Sequence, residues 1–229
     1  MIQENVISRP KPLSSLRPLA EILGGMRADE RFNVMSHLVG ALLSGIGTLA
    51  LVLPALRIAS PGKALAFGVY GICTVGSYLA SIAYHAARGD LRVRRRRCDR
   101  ATIYFAIAGC YTPVVMIGFQ TIVGMVALGS VWGIAAVSAI RELRPATGGP
   151  PRSIASYVLM GSGFLVASEH LVAVLTSQGL AWLMAACAIY LVGALVLYCP
   201  SIPRHHEIWH VFVLAGNACT FIVMRYYLA

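Results

Sequence analysis

Stretches of about 20 predominantly apolar residues recur along this chain, each cut off by charges, prolines or glycines. No other feature limits the possible folds so strongly. A bilayer core needs about 20 residues of helix to cross it, and in lipid a helix lets a single segment satisfy its own backbone hydrogen bonds. Seven segments qualify: 36–56, 63–87, 101–119, 122–140, 153–175, 180–199 and 207–227. The breaks are Ser60-Pro61-Gly62, the basic run from Arg88 to Arg97, Arg144-Pro145 through Pro150-Pro151, Gln178-Gly179, and Pro200 through Pro203. The gap at Gln120-Thr121 is so short that the third and fourth spans must form a tight hairpin.

The expected fold is an all-α membrane protein. A cytoplasmic N-terminal segment, 1–32, precedes a seven-helix transmembrane domain, 33–229. Composition agrees: of 229 residues, 58% are hydrophobic and 12% charged, with mean hydropathy +0.72. A water-soluble domain of this size could not cover that much apolar surface. In the N-terminal segment, Leu19, Ile22, Leu23 and Met26 would share one face of a short interfacial helix, against which Gly24-Gly25 argue. The prolines at 10, 12 and 18 leave no uninterrupted apolar stretch for a cleavable signal, so the first span is expected to direct insertion. The six cysteines are scattered without a C-x-x-C pair, which fits buried thiols and neither a disulfide framework nor a thiolate zinc site.

Basic residues set the orientation. With the N-terminus in the cytoplasm, only Arg57, Lys63 and Arg225 of the 19 lysines and arginines fall outside. The N-terminus is therefore expected inside and the C-terminus outside. The net charge of +10 then needs no nucleic acid: Arg94, Arg95, Arg96 and Arg97 would lie against anionic lipid of the inner leaflet, and no aromatic residues are interleaved for base stacking.

This topology gathers chemistry at one depth. His85 lies near the inner end of the second span, with Ser81 and Ser77 on the same helix face, one and two turns back. Asp99 opens the third span, and His206 and His210 open the seventh. Glu30, Asn33 and His37 lead into the first from the same side. His206 and His210 are one turn apart within H-E-x-x-H, a pattern that on a helix suits zinc. The 19 residues after His210 hold no further His, Asp or Glu, so a third ligand must come from upstream. Three imidazoles plus a position for water is the catalytic zinc arrangement. His85, His206 and His210 are the expected ligands, near the cytoplasmic face; Asp99 would hold the attacking water and act as base, and Ser81 would orient that water or a substrate carbonyl.

Other polar residues receive plainer readings. Glu207 is expected to be interfacial and not a peptidase base, and His205 a loop residue. Glu169 and His170 fall near the outer end of the fifth span, the wrong leaflet for this site. Tyr190 and Tyr198 read as packing and interface anchors. Gly40 and Gly47, with Gly68, Gly71 and Gly76, would permit close helix contact. A retinal Schiff base is excluded, because the only lysines are Lys11 and Lys63.

The ordered set E30-x-x-N33-x-x-x-H37, S81-x-x-x-H85, D99 with the following AGCYTP, and H206-x-x-x-H210 with FVLAG resembles the haemolysin III branch of the progestin and adipoQ receptor family. The resemblance runs from about Glu30 through all seven spans. It implies a seven-helix protein with a cytosolic N-terminus and an intramembrane zinc on His85, His206 and His210, with Asp99 binding water and Ser81 behind it. It further implies chemistry like that of ceramide-type amide hydrolysis, and residence in a bacterial cytoplasmic membrane. Arg100 departs from the histidine expected after the aspartate, and Cys219-Thr220 from another histidine. The leading expectation is a zinc-dependent hydrolase of a lipid amide or ester with a role in membrane lipid homeostasis. The alternatives are a non-catalytic sensor of membrane state with structural zinc, and a haemolytic pore former.

Overall fold

The computed structural model describes residues 26–144, 155–163 and 168–229, without the side chains of 168–170 and 172. The described residues are helical or in turns, with no strand among them. The expected interfacial helix at Pro18–Met26 falls almost wholly outside these residues.

Helix α1 runs Ala28–Arg57, α2 Pro61–His85 and α3 Gly89–Pro113, which continues as a π-helical turn, Val114–Gly118. Then come α4, Ile122–Leu143; a short α5, Ala155–Gly161; α6, Ser168–Leu197; and α7, His205–Val223, which ends in a second π-helical turn, Met224–Leu228. Six helical stretches are long and apolar enough to cross a membrane. The expected fifth span, 153–175, coincides with α5 and the start of α6, and the residues between them are not described. Within α6, Thr176 has φ 62° and ψ 167°, a backbone outside the helical region. The chain therefore breaks two residues before the expected Gln178-Gly179 boundary.

Two helices begin earlier than expected. The basic run Arg88–Arg97 is not a loop, because α3 begins at Gly89 and carries Arg92 and Arg94 to Arg97 on its first turns. Arginine is a good helix former, and nothing stops the hydrogen-bond ladder where the bilayer ends. Likewise α1 begins at Ala28, eight residues before the expected span, with Asp29 and Glu30 in its first turn. Acidic residues are favourable there, next to the positive end of the helix dipole. The short connection after α3 does form a tight turn, in which the Thr121 side chain caps α4 by accepting from the Gly124 amide at 3.1 Å.

Neighbouring helices pack in sequence, α1 on α2, α2 on α3 and α3 on α4; α6 packs on α7, and α7 closes back on α1. Small residues permit the closest contacts. A Cβ on Gly40 would lie 2.6 Å from the Tyr78 ring, and one on Gly71 would lie 2.1 Å from Thr48 Oγ1. Gly47 faces Phe221 in the same manner, but a Cβ on Gly68 or Gly76 would meet nothing within 4 Å. Those two flank the buried stripe of α2, so the expected close contact is absent at both.

The bundle's ends differ. One is a packed apolar core that joins Leu51 and Ala55 of α1, Phe67 and Tyr70 of α2, Tyr111 and Val114 of α3 and its turn, Leu171, Leu175 and Leu183 of α6, and Val223 and Met224 of α7. The other end, where α1 and α7 begin and α2 finishes, buries Asn33, His37, Ser81, His85, Glu207 and His210. Outward side chains are apolar, among them Leu42, Ile46, Ile72, Ile122 and Leu195, as a lipid-facing surface requires.

Candidate metal centre

Along α2, buried positions recur at Phe67, Tyr70, Gly71, Thr74, Tyr78, Ser81 and His85. Spacings of three and four keep them on one face. That face turns increasingly polar toward the C-terminal end of the helix and finishes in His85, which is 3% exposed. Helix α7 starts in the opposite sense, so its first turn delivers His206 and His210 to the same place.

Ligand atoms of His85, His206 and His210 all lie within 4.8 Å of one another, and this cluster could hold a metal ion. His206 Nε2 and His85 Nε2 are 3.3 Å apart. Ligand nitrogens at about 2.0–2.1 Å in tetrahedral array sit about 3.3 Å from each other, so the pair already has a metal-site separation. The three ring centroids form a near-equilateral triangle, with separations of 5.0 Å, 4.9 Å and 5.0 Å.

The outer nitrogens are held from behind. His85 Nδ1 meets Glu30 Oε2 at 2.6 Å, and His210 Nδ1 meets Ser36 Oγ at 3.4 Å. A carboxylate on Nδ1 fixes the tautomer that leaves the Nε2 lone pair free for a metal and raises its basicity. The other Glu30 oxygen pairs with the Arg92 guanidinium, which also lies over the Tyr84 ring at 4.8 Å. The donors and their tautomers therefore fit a borderline-soft cation that takes imidazole nitrogen.

Residues of a haemolysin-III-related family model match positions 26–221 of this chain, a span that takes in every residue just named. The chain belongs to the haemolysin-III-related family. It is similar to Hemolysin-3 of Bacillus cereus, 31% identical over 201 residues that cover 87% of this chain and 91% of that protein. A Hemolysin-3 homolog of Bacillus subtilis is 28% identical over 200 residues, with coverages of 87% and 94%. The haemolysin-III-related chain is thus a multi-pass, all-helical membrane protein with a histidine cluster able to bind metal.

Asp99 does not join the group of ligand atoms; half-buried, its carboxyl faces the Ser81 hydroxyl across the α2–α3 contact. Ser81 lies one turn before His85, so the pair adjoins the cluster along α2. Glu207 is not among the clustered ligand atoms, and Arg204 donates to both of its carboxylate oxygens, at 2.7 and 2.9 Å. Arg204 itself has φ 58° and precedes the first residue of α7. His205 is the first helical residue of α7 and not part of the loop, with Nδ1 3.2 Å from the Ile202 carbonyl. Arg100 donates to Glu142 at 3.3 Å, and Thr220 donates to the Gly216 carbonyl at 2.6 Å. Neither departure from the family pattern alters the triad. Tyr190 does more than pack, since it donates to Asn217, which in turn donates to Tyr78. Of the four arginines expected on lipid, Arg95 is directed inward to the Ala83 carbonyl at 3.0 Å, near the end of α2. The side chains of Glu169 and His170 are outside the described residues.

Glu30, Ser36 and Arg92 carry roles that reading the sequence alone did not assign. Glu30 had the right depth and the right helix face; Ser36 and Arg92 carried no such signal.

Proposed function

We propose that this chain is a zinc-dependent hydrolase of a lipid amide or ester, working near the cytoplasmic face of a bacterial inner membrane and serving membrane lipid homeostasis. The observation that carries the reading is the convergence of three imidazoles from α2 and α7, backed by Glu30 and Ser36, beside the Asp99–Ser81 pair. A zinc ion held by three histidines supplies a water that ionises near pH 7 and a Lewis acid for a carbonyl. Glu30 and Ser36 keep His85 and His210 turned with Nε2 inward. Asp99 takes the proton of the attacking water and passes it to the leaving amine or alcohol. Ser81 orients the carboxylate or the substrate carbonyl.

The same proposal includes seven spans, with the N-terminus inside and the C-terminus outside. It draws support from the arginines of α3, which share an end of the bundle with the histidine cluster, since basic residues favour the cytoplasmic side. The exposed arginines of that end, Arg94 and Arg96, would contact anionic lipid.

The test is purified protein in defined lipid. About one zinc per chain, with fatty acid released from an N-acyl or O-acyl lipid and lost on chelation, is the expected result. Zinc without release would leave the metal a structural role, as in a membrane-state sensor. The Hemolysin-3 names of the Bacillus relatives favour one other reading, a haemolytic pore, for which dye would leak from liposomes without turnover.

A further inference from the structure

Among the described residues, three buried side-chain atoms find no hydrogen-bond partner in the protein, and they belong to two neighbours: Asn33 Oδ1, His37 Nδ1 and His37 Nε2. Buried polar atoms are almost always paired, so such exceptions call for an explanation. Asn33 is 4% exposed and His37 6%, and one turn of α1 separates them on a single face. Both adjoin the triad. The His37 ring stacks on His210 with centroids 3.8 Å apart and meets Tyr78 edge-on at 5.0 Å. Asn33 approaches His85 Nδ1 at 3.5 Å, too long for a strong bond, and that nitrogen is already engaged by Glu30. Whichever way its amide is turned, Asn33 keeps one end unpaired.

We propose that Asn33 and His37 form a hydrogen-bonding subsite beside the metal centre, which holds an uncharged polar group of an apolar ligand, a secondary amide or a hydroxyl. An uncharged imidazole offers one donor and one acceptor, and Asn33 adds a third group. A ligand that both gives and accepts a hydrogen bond satisfies this set. A phosphate or carboxylate does not, because it gives no hydrogen bond and no cation pairs with either residue. The unpaired atoms lie inside the polar end of the bundle, one helical turn (Asn33) and two turns (His37) beyond Glu30 along α1, where a ligand from the lipid would bring its polar group. The inference deepens the hydrolase reading, on which it rests for the placement of the reacting bond, by naming residues that would choose the substrate.

The experiment uses the full chain, zinc-loaded, in lipid nanodiscs, and two probes: a long-chain secondary amide and its N-methylated counterpart, which lacks the N–H. Isothermal titration calorimetry is expected to give about tenfold tighter binding of the secondary amide, the discrimination a buried site shows against a ligand that leaves its polar groups unpaired. His37→Phe keeps the stack on His210 and should reduce the preference to within about twofold at unchanged zinc content, while His37→Gln, which retains a donor and an acceptor, should keep most of it. Should His37→Phe fail to fold, Asn33→Leu is read by the same criterion. No preference in the parent, which is the result if these atoms hold only water, overturns the proposal. So does a preference that survives His37→Phe, or a loss of zinc in both His37 variants. Binding with discrimination but no turnover of any amide would sink the hydrolase reading alone; turnover without discrimination would sink the subsite alone.

Discussion

The imidazole of His85 is met from two directions, by the Glu30 carboxylate at Nδ1 and by His206 at Nε2. Replacing Glu30 by Gln keeps the shape and removes the charge that makes the imidazole a better ligand. Zinc affinity is expected to fall about 10–100-fold, measured by competition with a chromogenic chelator, with helicity unchanged. Two carboxylates near the cluster make a sharper contrast. Asp99→Asn should lower lipid hydrolysis by at least about 100-fold and leave zinc in place. Glu207→Gln should leave both turnover and zinc within about twofold, because its carboxylate serves Arg204 and not the metal. If Glu207→Gln silences the protein and Asp99→Asn does not, the assignment of base is reversed. At this scale the clustering of His85, His206 and His210 was legible because H-x-x-x-H and a shared depth are local signals. The supports were not, since the contacts of Glu30 with His85 and of Ser36 with His210 cross 55 and 174 positions of sequence, and no pattern along the chain announces such a meeting.

Hydropathy located the spans well at the level of elements but misjudged where helices begin. It marks the part of a helix that lipid covers, whereas the backbone ladder continues into water; hence α1 starts at Ala28 and α3 at Gly89. That extension matters to the site, since Glu30 and Arg92 both sit on the extra turns. The glycines divide in the same way. A stripe of small residues is visible in sequence, yet only the helix pairing shows which glycine meets a neighbour. Gly40 faces a Tyr78 ring whose hydroxyl is pinned by Asn217, so the ring cannot swing aside. Gly40→Ala is expected to cost about 1–3 kcal/mol, seen as a lower midpoint in thermal unfolding in detergent. Gly68→Ala and Gly76→Ala, facing open space, should leave that midpoint in place.

The whole molecule is polarised, with a sealed apolar core at one end and a polar, arginine-flanked cluster at the other. Charge bias alone predicted which end faces the cytoplasm, and Cys98 offers a direct check: it is exposed and lies within the basic stretch of α3. A membrane-impermeant maleimide should label it in inverted vesicles and not in intact spheroplasts. The opposite pattern would put the histidine cluster on the outer face and overturn the orientation. The number of spans was less legible: six stretches among the described residues are long and apolar enough, and the expected fifth runs up to the irregular backbone at Thr176, where apolar composition continues through a break in the helix.

Because α7 closes on α1 and contributes two of the three imidazoles, the cluster joins the first and the last of these helices. While a ribosome is still making the chain, His85 has already entered the bilayer, but its partners have yet to be translated. A metal that needs all three imidazoles could therefore load only after α7 has been made: a nascent chain without α7 offers one imidazole where the longer one offers three. Such an ion, once bound, would certify that α7 is in place.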